Sequence, residues 1–279
     1  MRAFLKRWLL RTWAGRIPLM PLRFYKAARY YHKPLRNLLF WTAHSREVGN
    51  FTYPLTPKNA RDLAHTISAV TGSDIAEVSR YLLEIQTDER LKQHIISGIK
   101  ASSYRHVSEE TGELGRRIGW YAFVRILKPR IVVETGVDKG HGAVTLCAAI
   151  LKNAEEGFPG RYFGTDKDAG AGFLLTPPYS EVGTILYGDS LKSLATIPSI
   201  DLFINDSDHS DEYEAAEYVA ILPKLSSPAI ILGDNSHESE QLAQFSARHG
   251  RRFIFFREQP LNHWYPGAGI GISYSKNQS

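Results

Sequence analysis

Residues 131–142 read Ile131-Val132-Val133-Glu134-Thr135-Gly136-Val137-Asp138-Lys139-Gly140-His141-Gly142. Three β-branched residues in a row predict a short buried strand, and Gly136 and Gly140 let the chain turn close to a ligand. A helical pattern over about 119–127 ends at Lys128-Pro129 just before the strand, and another runs over about 141–155 beyond it. Strand, glycine turn and helix in that order form the opening unit of a parallel, doubly wound α/β sheet.

The alternation continues toward the C-terminus. Strands are expected at 161–163, 184–187, 201–204 and 229–232, with helices at about 190–196, 211–225 and 237–249. Gly170, Gly172, Pro177 and Pro178 allow only a short helix within 167–183. Two last runs, 252–256 and 269–274, are separated by Gln259–Pro266, too short a loop for a crossover helix, so they should pair antiparallel. The expected fold is a mostly parallel seven-stranded Rossmann-like sheet closed by an antiparallel hairpin.

Upstream the pattern is helical. Thr56-Pro57 opens one helix, and Ser73-Asp74 caps another before Ile75, Val78 and Tyr81-Leu82. The domains expected are a basic arm over 1–45, a helical region over 46–114 and the sheet domain over 115–279.

The chain of 279 residues carries 34 Lys or Arg against 29 Asp or Glu, but the excess is local. Residues 1–40 hold ten Lys or Arg and no acid, the first acid being Glu47; the rest holds 24 basic and 29 acidic residues. A body that is net acidic argues against nucleic acid as partner. Leu5, Trp8, Leu9 and Trp13 recur at helical spacing, with Lys6, Arg7 and Arg11 mostly on the other side, and Pro18 and Pro21 are expected to end this helix. Arg and Lys recur too often for a membrane-spanning stretch or a secretory signal. The arm reads either as an interfacial helix against anionic lipid or as an arm packed on the body. A single cysteine, Cys147, excludes an intramolecular disulfide and suits a reducing, cytosolic setting, free or at the inner face of the membrane. The sequence is equally compatible with a homo-oligomer.

Ligands of such sheets lie beyond the carboxyl ends of the strands. Those ends read Glu134, Asp166, Asp189, Asp206 and Asp234, five acids in succession. Carboxylates gathered there repel one another unless cations or hydroxyl-rich ligands enter the space. The glycine spacing is not G-x-G-x-x-G, which weakens a nicotinamide oxidoreductase reading. Asp166 lies 24 residues beyond Gly142, where an acid commonly binds ribose. His209-Ser210-Asp211 also spells two thirds of an iron facial triad, with His237, His249 or His263 as third ligand, but such sites belong to jelly rolls.

The stretches VVETGVDKGHG, YFGTD, YGDSLKSL, IDLFINDSDHS and ILGDN, with the terminal hairpin, resemble class I S-adenosylmethionine-dependent methyltransferases over about 115–275. The resemblance implies that Gly136 and Gly140 meet the methionine end of the cofactor, Asp166 the ribose, and Asp189 and Ser190 the adenine side, with Glu134 and Asp206 in the same cofactor set. Asp206-Ser207-Asp208-His209, with Asp234-Asn235 beginning 28 residues after Asp206, further resembles the metal-dependent O-methyltransferases of the catechol and antibiotic-sugar types. That implies Mg²⁺ on Asp206, Asp234 and Asn235, His209 as general base with Asp206 catalytic, and a sugar or glycoconjugate hydroxyl as acceptor. The sugar branch usually carries a second acid where Asn235 stands. Tyr104-Arg105-His106, Arg116-Arg117 and Asn262-His263-Trp264-Tyr265 are candidate acceptor contacts. A methyltransferase fold that binds a ligand or membrane without turnover remains the non-enzymatic alternative.

Overall fold

The computed structural model describes residues 8–49, 51–208, 210–234 and 236–275. They divide into two units: the segment up to Ser45 together with Asn262–Tyr265, and the remainder.

In the larger unit the strands are β1 (Ile131–Thr135), β2 (Arg161–Asp166), β3 (Gly183–Tyr187), β4 (Ile200–Asn205), β5 (Leu225–Gly233), β6 (Arg252–Arg257) and β7 (Gly269–Tyr274). They form one sheet in the order β3-β2-β1-β4-β5-β7-β6. Neighbours from β3 through β5 are parallel, and β7 runs antiparallel between β5 and β6. The expected fold class and the terminal antiparallel pair are both present. Val132, Val133, Leu202, Phe203, Ile230 and Ile231 have no exposed surface. Burial on both faces is why these central strands read as apolar runs rather than alternations.

Helices follow the strands as the periodicity predicts, except that the one expected over 237–249 is shorter, Gln241–Arg248. His141–Glu155 follows β1, Ser190–Thr196 follows β3, and Asp211–Ile221 follows β4 with a short 3-10 turn beyond it. Tyr218, Ile221, Leu242 and Phe245 pack with Val133, Phe203 and Ile231 in one core on one face of the sheet. Helix Arg117–Leu127 packs against His141–Glu155. Residues Ile118 to Arg125 of that helix are all buried, and its start places Arg116 and Arg117 at the carboxyl end of the sheet.

The helices of the preceding region are capped as their sequences ask. Asn59 N–H donates to Thr56 Oγ1 at 3.2 Å, Ala76 N–H to Asp74 Oδ1 at 2.6 Å and Leu91 N–H to Asp88 Oδ1 at 3.0 Å. Helix Pro57–Thr71 is tied to the end of β6: Asn59 Nδ2 donates to Arg257 O at 3.0 Å, and Gln259 N–H to Asn59 Oδ1 at 2.7 Å.

The smaller unit contains helices Trp13–Arg16, Met20–Ala28 and His32–His44, with a 3-10 turn at Ile17–Leu19. Leu5 lies outside the described residues. Helix Trp13–Arg16 stops just before Pro18, as expected, and new helical elements then begin at the two prolines. Pro18 stands at the beginning of the 3-10 turn and Pro21 in the first turn of Met20–Ala28. A first-turn N–H has no intrahelical partner to lose, so proline is tolerated there. Within this unit Asn37 Nδ2 donates to His263 O at 3.2 Å, and the Trp41 and Trp264 rings lie 5.2 Å apart. Trp13, Phe24, Tyr25, Tyr30 and Tyr31 are exposed, each by more than two thirds. Among the described residues no helix is long and apolar enough to cross a membrane.

Candidate active site

A cavity of about 430 Å³ opens along the carboxyl ends of β1, β2, β4 and β5. Glu134, Gly136, Asp166, Ser190, Asp206 and Asp234 all line it, so four of the five strand-end acids converge and Asp189 is the exception.

The turn after β1 forms one end. Gly136 has φ +81° and lies so close to β4 that a Cβ would stand 1.9 Å from Asp206 O. Gly140 has φ +100° at the start of helix His141–Glu155. Both positions need glycine, one for space and both for backbone conformation. Asp166 at the tip of β2 organises this turn. Its Oδ2 accepts from Val137 N–H at 3.0 Å and Asp138 N–H at 2.9 Å, and its Oδ1 from Asp168 N–H at 2.8 Å. Asp166 lines the cavity, and its Oδ1, with one hydrogen bond, retains acceptor capacity. Gly188, beyond β3, also lines the cavity and has nothing within 4 Å of where a Cβ would stand. An open cradle with Asp166 on one side and the Ser190 hydroxyl on the other fits a nucleoside.

Asp189 departs from its expected place. Its Oδ1 accepts from Lys192 N–H at 3.1 Å, capping helix Ser190–Thr196, and its Oδ2 accepts from Tyr213 Oη at 3.3 Å. It does not line the cavity; Ser190 and Tyr213 do, with the Lys167 ammonium 4.9 Å from the centre of the Tyr213 ring. An acid just before a helix is at least as much a cap signal as a ligand signal.

Beneath this end lies Glu217, fully buried and not anticipated from the sequence. Its Oε1 accepts from Ser190 Oγ, and its Oε2 from Asn205 Nδ2, from Thr135 Oγ1 at 3.0 Å and from Ser207 Oγ at 2.8 Å. One carboxylate thus joins β1, β4 and the segments after β3 and β4. Burial raises its pKa, against the lowering effect of the Ser190, Ser207 and Thr135 hydrogen bonds. The signal that could have found it is positional. Glu214, Glu217, Tyr218 and Ile221 form the buried stripe of helix Asp211–Ile221, and two of those four are acids.

Glu134 is also buried, its Oε2 accepting from Tyr162 Oη at 2.5 Å. Burial pushes its pKa up to about 8, opposed by the Tyr162 hydrogen bond and the Arg117 charge.

The opposite end of the cavity is charged. Arg116 Nε donates to Asp234 Oδ1, Arg116 Nη1 stands 3.4 Å from Glu258 Oε2, and Arg117 Nη2 is 4.0 Å from Asp206 Oδ2. Burial and the neighbouring Asp234 charge hold the Asp206 carboxyl well above its ordinary range. Asp234 is held below its own range: burial acts upward, but Arg116 overrides it. His209 and Asn235 lie outside the described residues, as a general base and as a metal ligand respectively.

The described residues do not fit the expected magnesium site. Mg²⁺ requires a near-octahedral set of free oxygens. Here Asp234 Oδ1 is bonded to a guanidinium, and Asp206 faces a second one.

Of the candidate acceptor contacts, Tyr104, Arg116 and Arg117 line the cavity. The Tyr104 ring stacks on Phe173, also in the wall, with centroids 5.4 Å apart and planes 4° from parallel. Arg105 and His106 do not line it; Arg105 Nε donates to His106 Nε2 at 3.0 Å. Asn262–Tyr265 belongs to the smaller unit.

A family model described as a methyltransferase domain matches residues 133–236. Among solved structures the chain is similar to a methyltransferase from Geobacter sulfurreducens, at 20% identity over 66% of this chain and 90% of that one, with a TM-score of 0.48. It is similar to the O-methyltransferase TomG from Streptomyces achromogenes, involved in tomaymycin synthesis and solved with S-adenosylmethionine, at 13% identity over 67% and 90%, with a TM-score of 0.45. An O-methyltransferase from Bacillus cereus, solved with S-adenosylhomocysteine, gives 13% identity over 77% and 97% and a TM-score of 0.42. No curated protein matches the chain.

Proposed function

We propose that this chain, whose residues 133–236 match a methyltransferase-domain model, is a class I S-adenosylmethionine-dependent methyltransferase that methylates a hydroxyl of a sugar or glycoconjugate. The observation that carries the reading is one cavity with two chemistries: a glycine-turn cradle at one end and ionised side chains at the other. S-adenosylmethionine supplies a methyl group already activated on a sulfonium. The turn at Gly136 and Gly140 would take its methionine portion, Asp166 the ribose through the acceptor capacity left on Oδ1, and Ser190 with Tyr213 the adenine side. Glu134 and Asp206 border the same space. Glu217 holds these strand ends in register from below.

At the other end a neutral hydroxyl must lose its proton as its oxygen takes up the methyl group. The D-x-x-H spacing supports His209 as the base that receives that proton, with Asp206 beside the reacting centre. The stacked Tyr104–Phe173 pair in the wall supports a sugar, whose C–H faces lie well on aromatic rings. Magnesium assistance would need Asp206, Asp234 and Asn235 as ligands, and the guanidinium groups on the first two disfavour it; no step here depends on the ion.

The smaller unit supports a location. Exposed aromatic side chains among ten cations with no acid suit the anionic inner face of a membrane, where a lipid-linked saccharide would be met. Transfer of labelled methyl from S-adenosylmethionine, compared between glycolipid and soluble phenolic acceptors, tests the reading. Glycolipid should be preferred; a phenol as the best acceptor would overturn the sugar assignment.

A further inference from the structure

We propose that Arg116 and Arg117 are the resident cations of the acceptor end: their fixed guanidinium charges replace a divalent metal, and Arg117 Nε donates to the acceptor oxygen. The proposal rests on the methyltransferase reading above and narrows how its site handles charge.

Arg116 is built into the fold and is not a surface side chain laid over the acids. Its backbone N–H donates to Glu258 Oε1 at 2.7 Å, its Nη1 faces Glu258 Oε2 at 3.4 Å, and its Nε is bonded to Asp234. Glu258 is itself fully buried, accepting from Tyr53 Oη at 3.1 Å and Ala268 N–H at 3.2 Å. The guanidinium therefore has a fixed seat, set by the segment before helix Arg117–Leu127 and by the residue after β6. Arg117 has its own support: its guanidinium carbon lies 5.5 Å from the ring centre of the buried Trp120.

Two consequences follow from charge and valence. Three carboxylates, Asp206, Asp234 and Glu258, face two guanidinium groups, so at most one negative charge is left uncompensated. A divalent ion would reverse the sign of the site and stand against two cations that cannot be deprotonated. Arg117 Nε, moreover, is buried and has no hydrogen-bond partner among the described residues, although its side chain lines the cavity. A buried donor left unsatisfied in a cavity wall calls for an acceptor from a ligand. An oxygen gaining negative charge during methyl transfer is such an acceptor, and a donor fixed in advance stabilises it without reorganisation.

The test uses the full chain, freed of metal by a chelator, with S-adenosylhomocysteine binding followed by calorimetry and Mn²⁺ binding by the loss of its free paramagnetic signal. Homocysteine-nucleoside affinity should change by less than about twofold between chelator and millimolar Mg²⁺. The free Mn²⁺ signal should persist with wild-type protein in excess. Arg116→Met, by uncovering Asp234, should bind Mn²⁺ at least about tenfold more tightly than wild type. Saturable one-to-one Mn²⁺ binding by the wild type would overturn the proposal, and its loss in Asp234→Asn with nucleoside binding retained would place the ion at this site. The wild-type titration decides even if the variants do not fold. Failure to bind S-adenosylhomocysteine counts separately, against the methyltransferase reading.

Discussion

The two ends of the cavity are held together by different forces. At the nucleoside end the anions Asp166 and Glu217 are satisfied by neutral donors: three backbone N–H groups in one case, three hydroxyls and an amide in the other. At the acceptor end Asp206, Asp234 and Glu258 face guanidinium charges. Neutral donors fix geometry and distribute their contribution over several modest bonds. Paired buried charges concentrate it, because removing one partner leaves the other unpaired in a poorly solvated place. The nucleoside end should therefore degrade gradually under mutation, and the acceptor end abruptly.

Glu258→Leu is the most severe break of that contrast. It strands Arg116 together with the Tyr53 hydroxyl and the Ala268 N–H, and should cost about 3–5 kcal/mol of stability in urea unfolding. A loss below about 1 kcal/mol would mean that the acceptor end does not depend on its charge pairs.

Glu134 lies between the two regimes. Its folded pKa of about 8 exceeds its ordinary value of 4.5, because burial outweighs the Tyr162 hydrogen bond and the nearby Arg117. A raised carboxyl pKa means that folding takes up a proton, so this group's stabilisation is complete below about pH 4.5 and is lost as pH rises toward 8. Wild-type stability should fall relative to Glu134→Gln between about pH 5 and 8, by on the order of 3 kcal/mol. Equal pH slopes for the two proteins would show that Glu134 is ionised in the folded state.

Asp166→Ala tests the neutral end. Three N–H donors lose one shared acceptor, and turn 136–140 should loosen by about 2 kcal/mol, seen as roughly thirtyfold weaker S-adenosylhomocysteine binding with global stability less affected. A drop confined to stability would make Asp166 a structural tie alone.

What the sequence made legible divides along similar lines. Elements written in a local period were found: the apolar run of β1, the helix at 141–155, the hairpin forced by a short loop. The strand-end acids were also legible, because topology brings strand ends together whatever their partners. Partnership was not. Arg116 and Glu258 stand 142 positions apart, and nothing local in either segment announces the other. Glu217 was hidden because an acid on a helix ordinarily faces water, and only the buried stripe of its helix reveals that it does not. Pro18 and Pro21 mark the end of one helix as read, but that each also stands in a new first turn is not written locally, because the same residue serves both positions.

Asp189 gives the smallest effect and the finest test of the contrast. It was expected to contact the adenine side, yet its carboxylate accepts from Lys192 N–H and Tyr213 Oη. As a cap on a short helix it should contribute about 1 kcal/mol. Asp189→Asn keeps a capping oxygen and should leave both stability and nucleoside affinity nearly unchanged. Asp189→Ala should lower stability by about 1 kcal/mol and weaken S-adenosylhomocysteine binding only a few-fold, through the slackened Tyr213 hydroxyl. If Asp189→Asn instead weakens binding about tenfold or more at unchanged stability, the carboxylate charge itself reaches the ligand. The nucleoside end would then depend on charge as the acceptor end does.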